Sequence, residues 1–170
     1  MDFEQKTLNL NILSNTNLAL SLYSLILFTL PILIPNQLIL GTIVNALLIR
    51  VALTRKEKRF YLLAALPSTS ALLTGILFAS ASTMLFAMIP FIIVGNLVLM
   101  KIFKIFFVKQ RKNYALVSIF GALLKSALLF ASALILIQFS LVPLAFATTF
   151  GVMQFITATL GATVNYFFKK

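Results

Sequence analysis

Six long apolar runs, separated by short polar or basic segments, fill almost the whole sequence. Each run is long enough to cross a bilayer as a helix, which takes about 20 mostly apolar residues. None of them alternates apolar and polar residues, as the strands of a transmembrane β-barrel do. The predicted crossings are residues 18–34, 37–53, 61–79, 83–107, 114–138 and 143–168. We therefore expect an all-α integral membrane protein: a compact bundle of six transmembrane helices (residues 17–170) after a short polar lead (residues 1–16).

The composition points to the bilayer as the solvent and leaves little catalytic chemistry. The chain has 170 residues, of which 61% are hydrophobic and 10% charged, whereas soluble domains are about 25% charged. It contains no Cys and no His, which excludes thiol catalysis, disulfides and His-ligated metals. No predicted crossing holds an Asp or Glu, so Lys125 would be the one general base available. We expect no catalytic residue, no metal site, no cofactor and no enzymatic activity.

The basic residues are distributed unevenly between the loops. Every Lys and Arg except Lys125 lies in the lead, around the loops that follow the second and fourth crossings, or at the C-terminus. The other loops, IPNQ, SAST and FSLVP, hold no basic residue. This is the positive-inside pattern of a topology signal and not a nucleic-acid-binding surface. We expect a multi-pass protein of the cell (cytoplasmic) membrane with the polar lead and both termini in the cytoplasm.

Lys125 lies near the middle of the fifth crossing, YALVSIFGALLKSALLFASALILIQ. A charge at this depth costs about 2.5–3.5 kcal/mol on insertion scales, and such residues are usually functional. It follows Lys112 by about 12 residues, too far for its side chain to reach the basic surface. Its helix face is small and polar, so it should point into the bundle. With no acid in any predicted crossing, Lys125 must be neutral, bonded to carbonyls and hydroxyls, exposed to water, or paired with a bound anion.

Three polar residues of other crossings are expected near this lysine. Gln154 lies on a face of small and polar residues in the sixth crossing, at about the same depth as Lys125. Asn45 and Asn96 lie at that level or somewhat closer to the cytoplasm. Each of these asparagines precedes a cation by four or five residues, as Asn165 also does. Either three hairpins surround one polar layer, or each Asn simply bonds a neighbouring helix; for Asn165 we favour the second interpretation.

The third crossing contains a helix break, Leu-Pro-Ser-Thr-Ser-Ala (residues 66–71). Pro67 lacks a backbone donor and frees the carbonyl of Leu63. Such breaks in a membrane either line a cavity or are satisfied again by nearby hydroxyls. Ser68 and Ser70 are accordingly candidates for a binding site, with a plain kink as the alternative.

At these motifs the sequence resembles the S components of energy-coupling factor (ECF-type ABC) transporters, which are membrane-embedded substrate-binding subunits for vitamin uptake. Six short helices with both termini inside are typical of that family. The most similar stretches are NQLILGTIVNALL (36–48), LPSTSA (66–71), MIPFIIVGN (88–96), LLK (123–125) and QFITATLG (154–161). The first crossing has Ala-Leu-Ser-Leu-Tyr (19–23), which differs from the Ala-x-x-x-Ala motif that docks the T component.

The resemblance implies high-affinity binding of a vitamin-like micronutrient from outside. It also implies three partner chains, a T component and two ABC ATPases that hydrolyse ATP. Lys125, Gln154, Asn45, Asn96 and Ser68 would supply the polar contacts, and a lysine without an acid suggests a substrate that carries a carboxylate or phosphate. The alternative function is a small structural or accessory membrane protein with no transported ligand. A polar cavity open towards the uncharged loops would favour binding, and a solid apolar core around Lys125 would favour the accessory role.

Overall fold

The computed structural model of the protein describes residues 15–74 and 82–168. Most of the predicted lead, the end of the predicted third crossing and the two C-terminal lysines lie outside these residues. Every regular element of the described part is helical. The elements are α1 (Thr16–Leu33), α2 (Gln37–Thr54), a 3₁₀ helix (Lys58–Ala64), α3 (Leu66–Thr74), α4 (Ser82–Ile102), a π-helix (Phe103–Lys109), α5 (Tyr114–Gln138), α6 (Ala145–Phe150) and α7 (Val152–Phe167).

Five helical segments of the described part are long and apolar enough to cross a membrane. They are Thr16–Leu33, Gln37–Thr54, Met84–Lys109, Tyr114–Gln138 and Ala145–Phe167. Large apolar side chains such as Leu33, Phe86 and Leu116 are about two-thirds or more exposed on their outer surfaces, as expected of a chain whose solvent is lipid. The prediction of an all-α protein is therefore confirmed for the described residues, and five of their helical segments have the length and apolar character that crossing a membrane requires.

Asparagine side chains set the start of three of these helices. The side-chain oxygens of Asn15, Asn36 and Asn113 each accept two backbone N–H groups from the first turn of α1, α2 and α5. Those N–H groups have no partner within a helix, and an Asn at the N-cap satisfies them. The observed starts lie within two residues of the predicted ones.

The described part of the third predicted crossing is not one continuous helix. A 3₁₀ helix ends at Ala64, a turn follows at Ala65, and α3 begins at Leu66. The break therefore precedes Pro67 instead of falling on it. Proline is tolerated in the first turn of a helix, because the donor that it lacks would have no partner there.

The sixth predicted crossing is also divided, at Gly151, although it was expected to be continuous. The backbone of Gly151 has φ −93° and ψ −91°, which is not helical. A Cβ atom here would lie 2.7 Å from the carbonyl oxygen of Ala147 and 2.8 Å from the ring of Phe130. Only a residue without a side chain fits between α6, α7 and α5, so the glycine itself marks the division.

The basic residues that flank the helices gather at one end of the bundle. Arg59 Nη1 donates to the side-chain oxygen of Asn17 at the start of α1, and Arg50 Nη1 donates to the carbonyl of Phe168 after α7 (3.2 Å). Lys104 Nζ donates to the carbonyl of Arg55 after α2. We call this the basic end, and the opposite end, with residues 34–36 and 139–144, the neutral end.

The apolar core of the described residues consists of two clusters. The larger includes Leu48, Leu99 and Phe103 and reaches Leu40 near the neutral end. The smaller includes Leu85 and Phe150. The polar side chains of Asn45, Asn96 and Lys125, on α2, α4 and α5, are buried as well.

Candidate functional site

Lys125 is the centre of the buried polar group. Its side chain is 2% exposed. Its Nζ atom donates to Oδ1 of Asn45 on α2 (2.6 Å) and to Oδ1 of Asn96 on α4 (2.8 Å). One ammonium group thus joins three helices, and both of these acceptors are neutral amide oxygens. The two asparagines therefore share one polar layer, as the first interpretation of the sequence pattern predicted.

The amide nitrogens of the same two asparagines extend the layer to two further elements. Asn45 Nδ2 donates to Thr157 Oγ1 on α7 (3.2 Å), and Asn96 Nδ2 donates to the carbonyl of Ala64 at the end of the 3₁₀ helix (2.9 Å). A carbonyl can only accept, so Asn96 has to turn its nitrogen to Ala64 and its oxygen to Lys125. The helix break before Pro67 thus leaves a carbonyl for this network.

Two glycines allow α2 and α7 to approach closely enough for this contact. A Cβ atom at Gly161 would lie 2.8 Å from both the backbone nitrogen of Ala46 and the Cβ atom of Asn45. A Cβ atom at Gly41 would lie 3.0–3.2 Å from the side chain of Thr157. Both distances are too short for an ordinary contact, so the position of Asn45 depends on these glycines.

A cavity of about 90 Å³ lies against Lys125 and extends along α2 as far as Gln37, next to the neutral end. On α2, Gln37, Leu40, Gly41, Val44 and Asn45 follow one another along one face of the helix, which descends about 12 Å from Gln37 to Asn45. The remaining lining residues are Pro67, Ser68, Ala71, Leu85, Ile92, Asn96, Lys125, Phe150 and Gln154. The cavity therefore has a polar floor at Lys125 and mostly apolar walls above it.

The size of the cavity limits what it can hold. A volume of about 90 Å³ corresponds to roughly three water molecules at ~30 Å³ each, whereas sites for drug-sized ligands measure roughly 300–1,000 Å³. A carboxylate group or a few waters fit against Lys125 as the structure stands. A larger solute would have to extend along the opening lined by Gln37 and Gln154.

The structure brings five of the six predicted site residues to this cavity. Lys125, Asn45 and Asn96 form its floor, and Ser68 and Gln154 line it. Ser70 does not line it, although it was predicted alongside Ser68: its hydroxyl donates to the carbonyl of Phe28 on α1. Residues two positions apart on a helix are separated by roughly 200°, which is why these serines serve different neighbours.

Asn165 bonds a neighbouring helix, as expected. Its Nδ2 atom donates to the carbonyl of Ala46 on α2 (2.6 Å) and to that of Gly161 on its own helix (3.2 Å). It lies on the same side of α7 as Gly161 and reinforces the close contact with α2. The three asparagines that precede a cation therefore have two different roles.

Three participants in the site were not among the residues predicted from the sequence. Thr157 lies three residues after Gln154, on the same helix face, and its hydroxyl donates back to the Gln154 carbonyl (3.3 Å). Gln37 lies eight residues before Asn45, again on one face. Both spacings could have been read from the sequence. The Ala64 carbonyl could not, because it is exposed to Asn96 only by the conformation of the chain before Pro67.

Lys125 has no carboxylate partner in the part of the chain that the structure describes. The one carboxylate there, that of Glu57, lies in the segment between α2 and the 3₁₀ helix and accepts from the hydroxyl of Thr16 (3.3 Å). The same part of the chain has no group of His, Cys, Asp and Glu side chains that could hold a metal ion. The chemistry of the site is thus that of one cation, neutral amides and hydroxyls.

No protein family, curated protein or solved structure matches this chain.

Proposed function

We propose that the chain is the substrate-binding membrane subunit of a transporter, in which Lys125 at the floor of the cavity binds the acidic group of a small nutrient. The observation that carries this proposal is the buried Lys125 Nζ atom, whose side-chain partners among the described residues are two neutral amide oxygens, in a cavity that extends towards Gln37. An anion that enters from that end would supply the missing charge.

The distribution of charge supports an orientation for this function. The basic end would lie in the cytoplasm, by the positive-inside rule, with both termini there. The neutral end, and with it the cavity opening, would then face the outside. That arrangement suits the uptake of a solute and agrees with the resemblance to the S components of ECF-type transporters.

The proposed partners follow from the same resemblance. A T component and two ABC ATPases would drive release of the substrate to the cytoplasm. Ala19, the one alanine of the segment 19–23, is completely buried in the bundle, so it cannot form part of an external docking motif on α1. A coupling module would have to use other residues, such as the exposed Ser21.

A structural role for Lys125 is the second candidate, and two observations favour it. The cavity is small, and the lysine already links α2, α4 and α5, with α7 and the 3₁₀ helix joined through the two asparagines. In this case the chain would be an accessory membrane protein, and the hydrogen bonds would serve only to hold the bundle together.

Binding measurements on the purified full-length protein distinguish the two functions. The probes are monocarboxylate nutrients, each paired with its neutral amide, for example nicotinate with nicotinamide. We expect one acid to bind and its amide to bind at least tenfold more weakly, because a hydrogen bond to a charged group contributes about 1.5–3 kcal/mol. Lys125→Met should abolish that preference. If no acid of the panel binds, or the Met variant binds equally well, the transport proposal fails.

Asn45→Asp complements Lys125→Met, because it adds a negative charge beside Lys125 and hardly changes the shape of the side chain. It gives Lys125 a fixed carboxylate partner, while Thr157 can turn its hydroxyl to donate to that carboxylate. We expect the variant to fold and to lose binding of the acid. Co-purification from native membranes tests the remaining part of the proposal, namely whether a T component and two ABC ATPases accompany the protein.

A further inference from the structure

Two hollows lie one after the other along the outer side of the contact between α5 and α7. The hollow next to the basic end has a volume of about 490 Å³ and is lined by Ala115 and Ser118 on α5 and by Thr159 and Thr163 on α7. The second, of about 420 Å³, reaches Phe130 and lies further along the same two helices. Together they extend along α5 from Ala115 to Phe130, about 22 Å, and we call them the groove.

The polar residues of the groove do not make its walls polar. The hydroxyl of Ser118 donates to the carbonyl of Tyr114 (2.8 Å), that of Thr159 to Phe155 (2.8 Å) and that of Thr163 to Thr159 (3.0 Å). Each of these three protons is used within its own helix, and that of Tyr114, which also lines the groove, is donated across to the carbonyl of Ala162 on α7 (2.7 Å). What remains on the surface is mainly methyl, methylene and aromatic carbon, which suits a hydrocarbon chain.

Positive charge is found at only one end of the groove. Arg111 and Lys112 are exposed and directly precede Asn113, which lines the groove. On the other side, Arg50 donates to the carbonyl of Phe168, next to the lining residue Phe167. The far end, at residues 139–144, carries no charged side chain. The groove is therefore amphiphilic along its length.

We propose that this groove binds an anionic phospholipid, with the phosphate at Arg111 and Lys112 and one acyl chain between α5 and α7. Basic pockets between membrane helices on one side of the bilayer bind acidic headgroups in this way. A lipid explains both the charge at one end and the apolar length of the groove. A helix of a partner protein would account for the length alone, and this site is separate from the cavity at Lys125.

Native mass spectrometry of the full-length protein with phosphatidylglycerol and phosphatidylcholine of identical chains tests the headgroup. We expect phosphatidylglycerol to bind more tightly. Each cation near a membrane surface accounts for about a fivefold change in affinity, so Arg111→Gln with Lys112→Gln should weaken it by roughly 25-fold. The control, Lys56→Gln with Lys58→Gln, removes the same charge from the other basic loop and should have little effect. Equal binding of the two lipids, or equal loss in both double variants, overturns the proposal.

The acyl chain is tested by filling the groove. Thr163→Phe should weaken both lipids, whereas Val164→Phe, at an exposed residue outside the groove, should weaken neither. Inorganic phosphate should not compete with phosphatidylglycerol; competition at equal concentration would show a site for free phosphate instead. A photoreactive amino acid at position 163, activated in native membranes, should yield an adduct of phospholipid mass. A protein adduct would show that a partner helix occupies the groove and would overturn the proposal.

Discussion

Helix α7 meets its two neighbours, α2 and α5, in opposite ways. Against α2 it presents Gly161 and Asn165, and the two backbones come so close that a methyl group would not fit. Against α5, on the lipid-facing side, it presents Thr159 and Thr163, whose hydroxyls bond their own helix, and a groove remains. Both faces contain small and polar residues, but the face towards α5 also carries Phe155 and Phe167, and only the face towards α2 is closed.

The difference shows what holds helices together in a membrane. Apolar side chains gain nothing by leaving lipid for another apolar surface, so close contact depends on small residues that allow tight packing and on hydrogen bonds between helices. The α2–α7 contact has both, through Gly161 and through the Asn45–Thr157 and Asn165–Ala46 bonds. On the grooved side the hydroxyls of Thr159 and Thr163 are satisfied locally, and the helices are joined near one end by the bond from the Tyr114 hydroxyl to the carbonyl of Ala162 (2.7 Å).

Gly161→Leu should have the largest effect of the substitutions that test this comparison. Its side chain would collide with backbone atoms of Ala46 and Thr42, which cannot move aside. Overpacking typically costs about 1–3 kcal/mol, and here we expect the upper value or more. The measurement is unfolding of the purified protein in detergent. Gly95→Ala is the control, because its Cβ atom would meet only the flexible side chains of Leu129 and Lys125, at 3.3 Å or more; equal losses for the two variants would mean that α2–α7 proximity is unimportant.

Asn45→Leu should rank second. It removes an acceptor of Lys125 and the donor to Thr157 at once, and a bond to a charged group contributes about 1.5–3 kcal/mol. In combination with Lys125→Met the loss should be smaller than the sum of the single losses, by about 1 kcal/mol or more. A double-mutant cycle of unfolding free energies measures this coupling. Additive effects would mean that the Lys125–Asn45 bond between α5 and α2 contributes nothing to stability.

The sequence predicted the membrane-crossing helices because long apolar runs are a strong and local signal. Proline and glycine showed where helices could break, but not how. The break before Pro67 and the non-helical backbone of Gly151 depend on what packs beside them, Asn96 in one case and Phe130 in the other. The sequence shows the proline and the glycine but not the residues that pack against them in space.

The site, like the fold, could be predicted in its main feature but not in its details. A lysine in the middle of an apolar run is conspicuous, and depth along the crossings placed Asn45 and Asn96 beside it. Depth does not specify the direction of a side chain around the helix. Ser70 was for that reason grouped with Ser68, although it contacts α1, and Asn165 shares the spacing of the other asparagines but bonds the α2 backbone.

Asn165→Ala tests the hydrogen bonds of the closed side without changing its glycines. The variant loses the bonds to the carbonyls of Ala46 and Gly161. Hydrogen bonds between membrane helices average about 0.6 kcal/mol and reach about 1.7 kcal/mol, so we expect a loss of about 1 kcal/mol in the unfolding free energy. No loss at all would show that close packing alone, and not the amide, holds α2 against α7.

Thr159→Val gives the matched test on the open side and should have the smallest effect. Valine has nearly the same shape, and the lost hydroxyl bonds only the Phe155 carbonyl of its own helix, so the unfolding free energy should change by less than about 0.5 kcal/mol. The same detergent unfolding experiment applies. A loss of 1 kcal/mol or more would mean that this hydroxyl stabilises more than its own helix. Local satisfaction of the hydroxyls would then not account for the groove between α5 and α7.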